Sequence, residues 1–244
     1  MFRLLRFLTG VALLPLCVAV TLALLDILSG LPHPANTLLS PETTWLITGY
    51  FLWLGMWFFL PQPVKAYVVA HELTHALWGL IFGARVSRLK VTERGGSVNL
   101  SKSNVLITLA PYFFPLYTVI VILLHWGVSL FVKPMPLPLL WLFLVGLTWS
   151  FHVCFTIQSL LNEQPDVNEY GRLFSYVVIY LFNLAGIGLW VNCTTSASFD
   201  DFSVSLMHHT FAVYASVSDE IQLRYNYLHT KILTPFIDLI HNRI

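Results

Sequence analysis

The sequence predicts an all-α, multi-pass membrane protein with about six transmembrane helices and one short membrane-associated β-hairpin. The chain has 244 residues, of which 57% are hydrophobic and only 10% are charged, whereas soluble proteins average about 25% charged residues. Several apolar runs reach the length of about 20 residues that a helix needs to cross a bilayer. Only one stretch, residues 85–100, has the composition of paired strands.

Charge and cysteine content exclude other classes of protein. The net charge is +1, and no basic stripe interleaved with aromatic residues is present, so no nucleic-acid partner is expected. The three cysteines, Cys17, Cys154 and Cys193, are scattered along the chain. They predict neither a disulfide framework nor a thiolate metal site.

Two apolar runs precede the central motif. The first, residues 7–31, follows Arg3 and Arg6; it is longer than the core of a signal peptide, which is about 7–15 residues, and is expected to be a retained helix. The second, residues 44–60, ends at a Pro-Gln-Pro sequence that must break the helix before residue 64.

The next predicted helix, residues 64–83, carries the sequence His-Glu-Leu-Thr-His at positions 71–75. His71 and His75 lie one turn apart on the same helix face, so both imidazoles can reach one metal ion. Glu72 is next to the first histidine and can reach a water on that metal without being a ligand itself, as in zinc hydrolases. A charged group at mid-span costs at least about 2.5–3.5 kcal/mol, and a metal ion would supply the missing partner.

The following segment is basic and strand-like. Residues 84–104 contain five lysines and arginines, and short β-branched and apolar runs flank a Gly-Gly pair at 95–96, which predicts a β-hairpin over residues 85–100. The positive charge places the loop 85–104 in the cytoplasm. Counting back three spans then puts Arg3 and Arg6 on the opposite side, in conflict with the same rule. Either the charges of the loop dominate, or the first apolar run does not span the membrane in this way, and the orientation of the N-terminus stays open.

The rest of the chain predicts three more spans and a tail. Residues 105–132 form a kinked span with two internal prolines, residues 137–161 a span with His152 near its middle, and residues 170–191 the last clear span. A polar insert at residues 162–169 separates the last two. We therefore predict a polytopic membrane domain over residues 1–191 and an amphipathic helical tail over residues 192–244.

A catalytic zinc site needs a third protein ligand and one open position. Asp166 in the polar insert and His152 are the two main candidates, with Glu163 and Glu169 behind them. Two spans separate the insert from the hairpin, so both should lie on the same side of the membrane. An irregular insert can dip toward the metal from that side where it lines a protein cavity.

These features together resemble the site-2 protease family of intramembrane zinc metalloproteases, in a short form without an inserted peptide-binding domain. The resemblance covers about residues 64–190. It rests on the motif in a membrane helix, on the Gly-containing hairpin after it, and on Leu-Ala-Pro at residues 109–111, which is similar to the family's Ala-Gly-Pro. The family's second motif, Asn-x-x-Pro followed by Asp-Gly, has a degenerate counterpart at residues 162–166, where Asp follows the proline directly and the next glycine is Gly171.

The resemblance implies one Zn²⁺ per chain, held by His71, His75 and Asp166 with His152 as the alternative third ligand, and Glu72 as the general base. Asn162 and His152 would contact the substrate or orient the ligands. The substrate would be a transmembrane helix of another membrane protein, and the enzyme would reside in the bilayer of the cell (inner) membrane. Two other functions stay open: a non-catalytic pseudoprotease or membrane chaperone, and a transporter that binds an ion at the same polar site.

Overall fold

The protein, in this computed structural model, is mostly helical (79%) with one small two-stranded sheet, which agrees with the predicted fold class. The structure describes residues 2–31, 40–92 and 95–233. The first two residues of the predicted hairpin turn, 93–94, and the end of the predicted tail, 234–244, lie outside the described residues.

Nine α-helices and two strands follow one another along the described part of the chain. Two short irregular turns occur in addition, a 3-10 turn at Ala110–Tyr112 and a π-helical turn at His229–Leu233. In chain order the elements are α1 (Phe2–Ser29), α2 (Pro41–Phe59), α3 (Val64–Ile81), β1 (Val86–Thr92), β2 (Gly95–Leu100), α4 (Val105–Leu109), α5 (Leu116–Ser129), α6 (Pro138–Leu161), α7 (Pro165–Tyr170), α8 (Arg172–Thr194) and α9 (Phe199–Leu228).

Three of these helices are long and apolar enough to cross a membrane: α1 from Arg3 to Ser29, α6 and α8. A fourth span results if Val105–Tyr112 and Leu116–Ser129, which are bent by 82° at their junction, count as one broken span. The bend follows from Pro111 and Pro115, as predicted. The described residues therefore contain three to four candidate spans, and the predicted number of six is not confirmed. The motif helix α3 is not among them, because Lys65, Glu72 and the two histidines lower its hydropathy.

The chain forms two compact units, and α1 and α8 each have residues in both of them. The first unit contains residues 1–10 and 32–186. Within it α2 and α6 run parallel, since Trp45 packs on Phe143 and Trp57 on Phe155. Their backbones meet closely at Gly49 and Gly146: a Cβ atom on Gly49 would overlap the carbonyl oxygen of Phe143, and one on Gly146 that of Leu46.

The predicted hairpin is present in the first unit as the antiparallel pair β1–β2, with Val86 opposite Leu100 and Thr92 opposite Gly95. It lies alongside α3. A Cβ atom on Gly79 of α3 would meet the side chain of Leu100, and one on Gly96 would meet that of Glu72. The hairpin thus runs back along α3, from the end of the helix to the metal motif.

The start of α1 lies beside the polar insert. Arg6 Nη1 donates a hydrogen bond to the Glu169 carbonyl oxygen at 2.9 Å, and its guanidinium group lies 4.7 Å from the centroid of the Tyr170 ring. This contact puts Arg6 and the insert at the same level of the first unit, which is at odds with the count of three crossings before the hairpin. Only α1 among those runs is long and apolar enough for a crossing, so the count of three is not confirmed, and the membrane side of the N-terminus stays a prediction.

The second unit contains residues 11–31 and 187–244. In it Asp26 Oδ2 lies 2.9 Å from Ser205 Oγ and 2.7 Å from His209 Nε2. Nearer the start of α1, the Tyr214 hydroxyl donates to the carbonyl oxygen of Ala12 at 2.7 Å. The predicted tail helix is present as α9, and its contacts with α1 run antiparallel. That it lies outside or along the membrane stays a prediction, as does the domain boundary at residue 191.

Candidate metal centre

Three side chains from two helices bring their donor atoms together. Both histidines come from α3, and Asp166 comes from the first turn of α7. His71 Nε2 and His75 Nε2 are 3.2 Å apart, and Asp166 Oδ2 lies 3.3 Å from His71 Nε2 and 3.5 Å from His75 Nε2. In the described part of the chain this group could hold a metal ion.

The spacing of the three atoms fits a tetrahedral metal site. With metal–ligand bonds of about 2.0–2.1 Å, the donors of such a site lie roughly 3.3–3.4 Å apart. The three observed separations, 3.2, 3.3 and 3.5 Å, bracket that value. Two imidazole nitrogens and one carboxylate oxygen are ligands that a divalent transition metal accepts, and three protein donors leave a fourth position open.

The second nitrogen of His75 is already engaged. His75 Nδ1 lies 2.9 Å from the Ile107 carbonyl oxygen and donates its proton there, so Nε2 is the nitrogen that would bind a metal, once it releases the proton that it shares with Asp166. The backbone of Ile107 is fixed in turn, because the Asn104 side chain caps α4 by accepting from Ile107 N at 2.9 Å. A half-buried polar residue at the start of α4 thus determines where this acceptor lies.

His71 is oriented by a tyrosine one turn earlier on α3. Its Nδ1 lies 3.3 Å from the Tyr67 hydroxyl, which lies 2.6 Å from Ser159 Oγ on α6. The Tyr67 ring stacks on Phe155, with centroids 4.6 Å apart and planes inclined by 4°. Because the Tyr67 ring is stacked on one face and its hydroxyl group is hydrogen-bonded, Tyr67 keeps His71 Nε2 directed toward the other two donors.

Asp166 is held by neighbours of its own. The Tyr112 hydroxyl donates to Oδ2 at 3.0 Å, and α7 is anchored where Ser175 Oγ donates to the Val167 carbonyl oxygen at 2.9 Å. Burial alone would raise the pKa of the Asp166 carboxyl group, but hydrogen bonds from His71 and then His75 outweigh it and hold the pKa below its ordinary value. Asp166 is therefore a carboxylate, the form that binds metal.

Glu72 lies beside this group and under the hairpin. On α3 it is about 100° around the helix axis from His71, and its side chain is only 7% exposed. It interacts electrostatically with His71, His75 and Asp166. A Cβ atom on Gly96 of β2 would lie 2.5 Å from Glu72 Cγ and 2.8 Å from Oε1, so this strand position has room for glycine alone.

His152 is not part of the donor group. It lines a cavity of about 20 Å³ together with His71, Tyr67 and Thr74, and its Nε2 is buried without a partner among the described protein atoms. The α3 residues that line this cavity lie on one face of the helix, at positions 67, 70, 71 and 74. Glu72 lies on nearly the opposite face. The cavity has room for about one water molecule, which would satisfy His152 Nε2.

The other residues singled out in the insert lie outside the donor group. Asn162 is exposed and donates from Nδ2 to the Gln158 carbonyl oxygen at 2.7 Å, at the end of α6. Neither Glu163 nor Glu169 belongs to the group that could hold a metal. A role for Asn162 in substrate contact stays a prediction.

Three side chains that orient the ligands were not predicted from the sequence, Tyr67, Tyr112 and Ser159, and neither was the main-chain contact of Ile107 with His75. For Tyr67 a signal was available, because a residue four positions before His71 lies on the same helix face. Tyr112 and Ser159 reach the site only through tertiary folding. In the comparisons with known proteins, no family model, no curated protein and no solved structure matches this chain.

Proposed function

We propose that this protein is an intramembrane zinc metalloprotease that cuts a peptide bond within or near a transmembrane helix of another membrane protein. One observation carries the proposal: the three donor atoms of His71, His75 and Asp166 stand at tetrahedral spacing beside the buried carboxyl group of Glu72. The same four residues are the ligand set and the general base that the resemblance to site-2 proteases implies.

The donor set supports zinc and hydrolysis rather than ion transport. Alkali and alkaline-earth cations prefer oxygen ligands, whereas two imidazole nitrogens favour a transition metal. A structural zinc site is closed by four protein ligands, and a catalytic one keeps a position open. Three donors were found in the described part of the chain, which is the number that catalysis needs.

His71, His75 and Asp166 would hold the ion, and Tyr67, Ile107 and Tyr112 would fix their directions. Zinc, when bound, supplies a Lewis acid that polarises the scissile carbonyl and lowers the pKa of a water molecule. Glu72 would accept a proton from the attacking water and deliver it to the nitrogen of the leaving amine. The bond formed is carbon to oxygen, and the bond broken is carbon to nitrogen.

The substrate must be locally extended at the bond that is cut. The peptide carbonyl of a helix is already hydrogen-bonded and its backbone is shielded. The β1–β2 hairpin lies against Glu72, and a free edge of this sheet would pair with an extended substrate segment next to the general base.

The orientation that we propose puts the start of α1, the polar insert and the hairpin loop 85–104 on the cytoplasmic side of the cell (inner) membrane. The contact of Arg6 with Glu169 supports a shared side for the start of α1 and the insert. The shared side of the hairpin requires an even number of crossings before it, so that one more segment crosses besides α1, and this arrangement satisfies the positive-inside rule.

Proteolysis by purified protein in lipid vesicles tests the function. Single-span membrane proteins with a Gly-Pro pair in the span serve as substrates, because the pair destabilises their helix. We expect cleavage by the unaltered protein, loss of at least about a thousandfold in a Glu72→Gln variant, and full activity in a Glu42→Gln control at an exposed position of α2. Undiminished cleavage by Glu72→Gln would contradict the assigned role. Zinc binding without cleavage of any such substrate would favour the pseudoprotease.

A further inference from the structure

A second cavity lies in the first unit, where the start of α1 meets the junction of α7 and α8. Its volume is about 350 Å³, and it is lined by Arg3, Phe7 and residues 168–174. Two arginines, Arg3 and Arg172, and one acidic residue, Glu169, contribute to the lining, so that its formal charge is 2 − 1 = +1. The cavity is therefore suited to an anion.

The two arginines differ in how far they are already engaged. Arg3 is exposed and makes no hydrogen bond or ion pair with any residue that the structure describes. Arg172 is also exposed and interacts with the Tyr176 side chain and, more weakly, with Glu163. Arg6 already contacts the Glu169 main chain and the Tyr170 ring. This contact joins α1 to α7 beside the cavity.

The position of the arginines selects the kind of anion. Arg3 and Arg172 are the first residues of two candidate membrane spans, Arg3–Ser29 and Arg172–Thr194, and so lie at the level of the lipid headgroups. Apolar side chains project from α1 close by: Leu4 is 64% exposed, Phe7 53% and Leu8 52%. A cationic cavity beside an exposed apolar helix surface fits a molecule with an anionic head and hydrocarbon tails.

We propose that this cavity binds the phosphate group of an anionic phospholipid, with Arg3 and Arg172 contacting the phosphate and the acyl chains lying along Leu4, Phe7 and Leu8. Basic groups between membrane helices at the interface bind such headgroups electrostatically. The start of α8 adds backbone N–H groups without helical partners, which also favour an anion. Inorganic phosphate shares the charge and the acceptor oxygens, but it cannot use the apolar surface.

Lipid in this cavity also affects the candidate metal centre. Asn168, Glu169 and Tyr170 line the cavity, and they belong to the six-residue helix α7, whose second residue is Asp166. A lipid that braces one end of so short a helix holds Asp166 near His71 and His75. This consequence rests on the proposed function, whereas lipid binding itself does not.

Lipid binding is tested with the full chain, purified in detergent and stripped of lipid, by native mass spectrometry after adding phosphatidylglycerol. The double variant Arg3→Gln/Arg172→Gln is compared with the charge-matched control Arg85→Gln/Arg224→Gln, whose positions are exposed in the hairpin and in α9. We expect the double variant to bind about thirtyfold more weakly, and the control to bind like the unaltered chain. Equal losses in both variants would overturn the site.

Competition experiments on the unaltered chain do not depend on any variant folding. Phosphatidylcholine and inorganic phosphate are each added at tenfold excess over bound phosphatidylglycerol. Retention of the anionic lipid supports the proposal. Displacement by phosphatidylcholine would contradict the selection for an anionic headgroup. Displacement by inorganic phosphate would contradict lipid binding and would indicate that the cavity is a site for free phosphate.

The link to the metal centre has a separate readout, the rate at which a chelator removes zinc. With phosphatidylglycerol bound we expect removal to slow at least about fivefold, and only in chains with both arginines. Lipid binding with an unchanged rate would overturn the link and leave the lipid site intact. If the unaltered chain holds no zinc, the proposed function fails, and the mass-spectrometric result alone decides on the lipid.

Discussion

Gly96 of β2 lies directly against the side chain of Glu72, so closely that a Cβ atom at residue 96 would be 2.5 Å from Glu72 Cγ. The hairpin therefore determines where the carboxyl group of the proposed general base can point. Both residues belong to the first unit, and 24 positions of sequence separate them.

A Gly96→Ala variant should consequently lose activity while it keeps its metal. The added methyl group must move the Glu72 side chain from its present position, and we expect cleavage to fall by about a hundredfold, the effect typical of a misplaced catalytic group. Zinc content and cleavage rate are measured on the same preparation. Ser97→Ala, an exposed neighbour on the same strand, is the control, and equal activity of the two variants would contradict the assigned contact.

A Tyr67→Phe variant should bind zinc more weakly without unfolding. It removes the hydroxyl group that lies 3.3 Å from His71 Nδ1 and 2.6 Å from Ser159 Oγ, but it keeps the ring that stacks on Phe155. Loss of a group that orients a ligand costs about 10- to 100-fold in metal affinity. The zinc affinity is measured by competition with a chelator of known affinity.

The control for this loss is Tyr214→Phe, which removes a hydroxyl that contacts Ala12 in the other unit. An unchanged zinc affinity in Tyr67→Phe, or an equal loss in Tyr214→Phe, would mean that Tyr67 does not orient His71.

The sequence revealed the parts of the site that local spacing determines. His71, Glu72 and His75 follow from helix periodicity, and the hairpin follows from its Gly-Gly pair and its flanking residues. Asp166 was found through a degenerate motif rather than through geometry. Its partner Tyr112 is 54 positions away and Ile107 is 32 positions from His75, and no periodicity connects residues so far apart.

The number of spans was harder to predict than the motif. An apolar run shows that a segment avoids water, but the run over residues 105–132 is broken by a bend of 82°. The predicted side of the N-terminus depends on the same count, because each run was taken as one crossing. The contact between Arg6 and Glu169 depends on tertiary packing, which the composition of the two segments does not encode.

A Gly49→Ala variant should lower the stability of the first unit. The new methyl group would overlap the carbonyl oxygen of Phe143 where α2 crosses α6, and overpacking of this kind costs about 1–3 kcal/mol in the free energy of unfolding. Thermal or denaturant unfolding in detergent measures the change.

Gly55→Ala on the same helix is the matched control, because its Cβ atom would meet nothing within 4 Å. The control should be neutral or slightly stabilising, since alanine has the higher helix propensity. Equal stability of both variants would contradict the close approach of α2 and α6.

The most direct test of the account is the zinc content of the purified protein, measured per chain by elemental mass spectrometry in the unaltered chain, Asp166→Ala and His152→Ala. We expect one zinc ion per unaltered chain, at least a tenfold loss of zinc affinity in Asp166→Ala, and full retention in His152→Ala, because only Asp166 belongs to the donor group. Zinc retained in Asp166→Ala and lost in His152→Ala would contradict the metal centre described here.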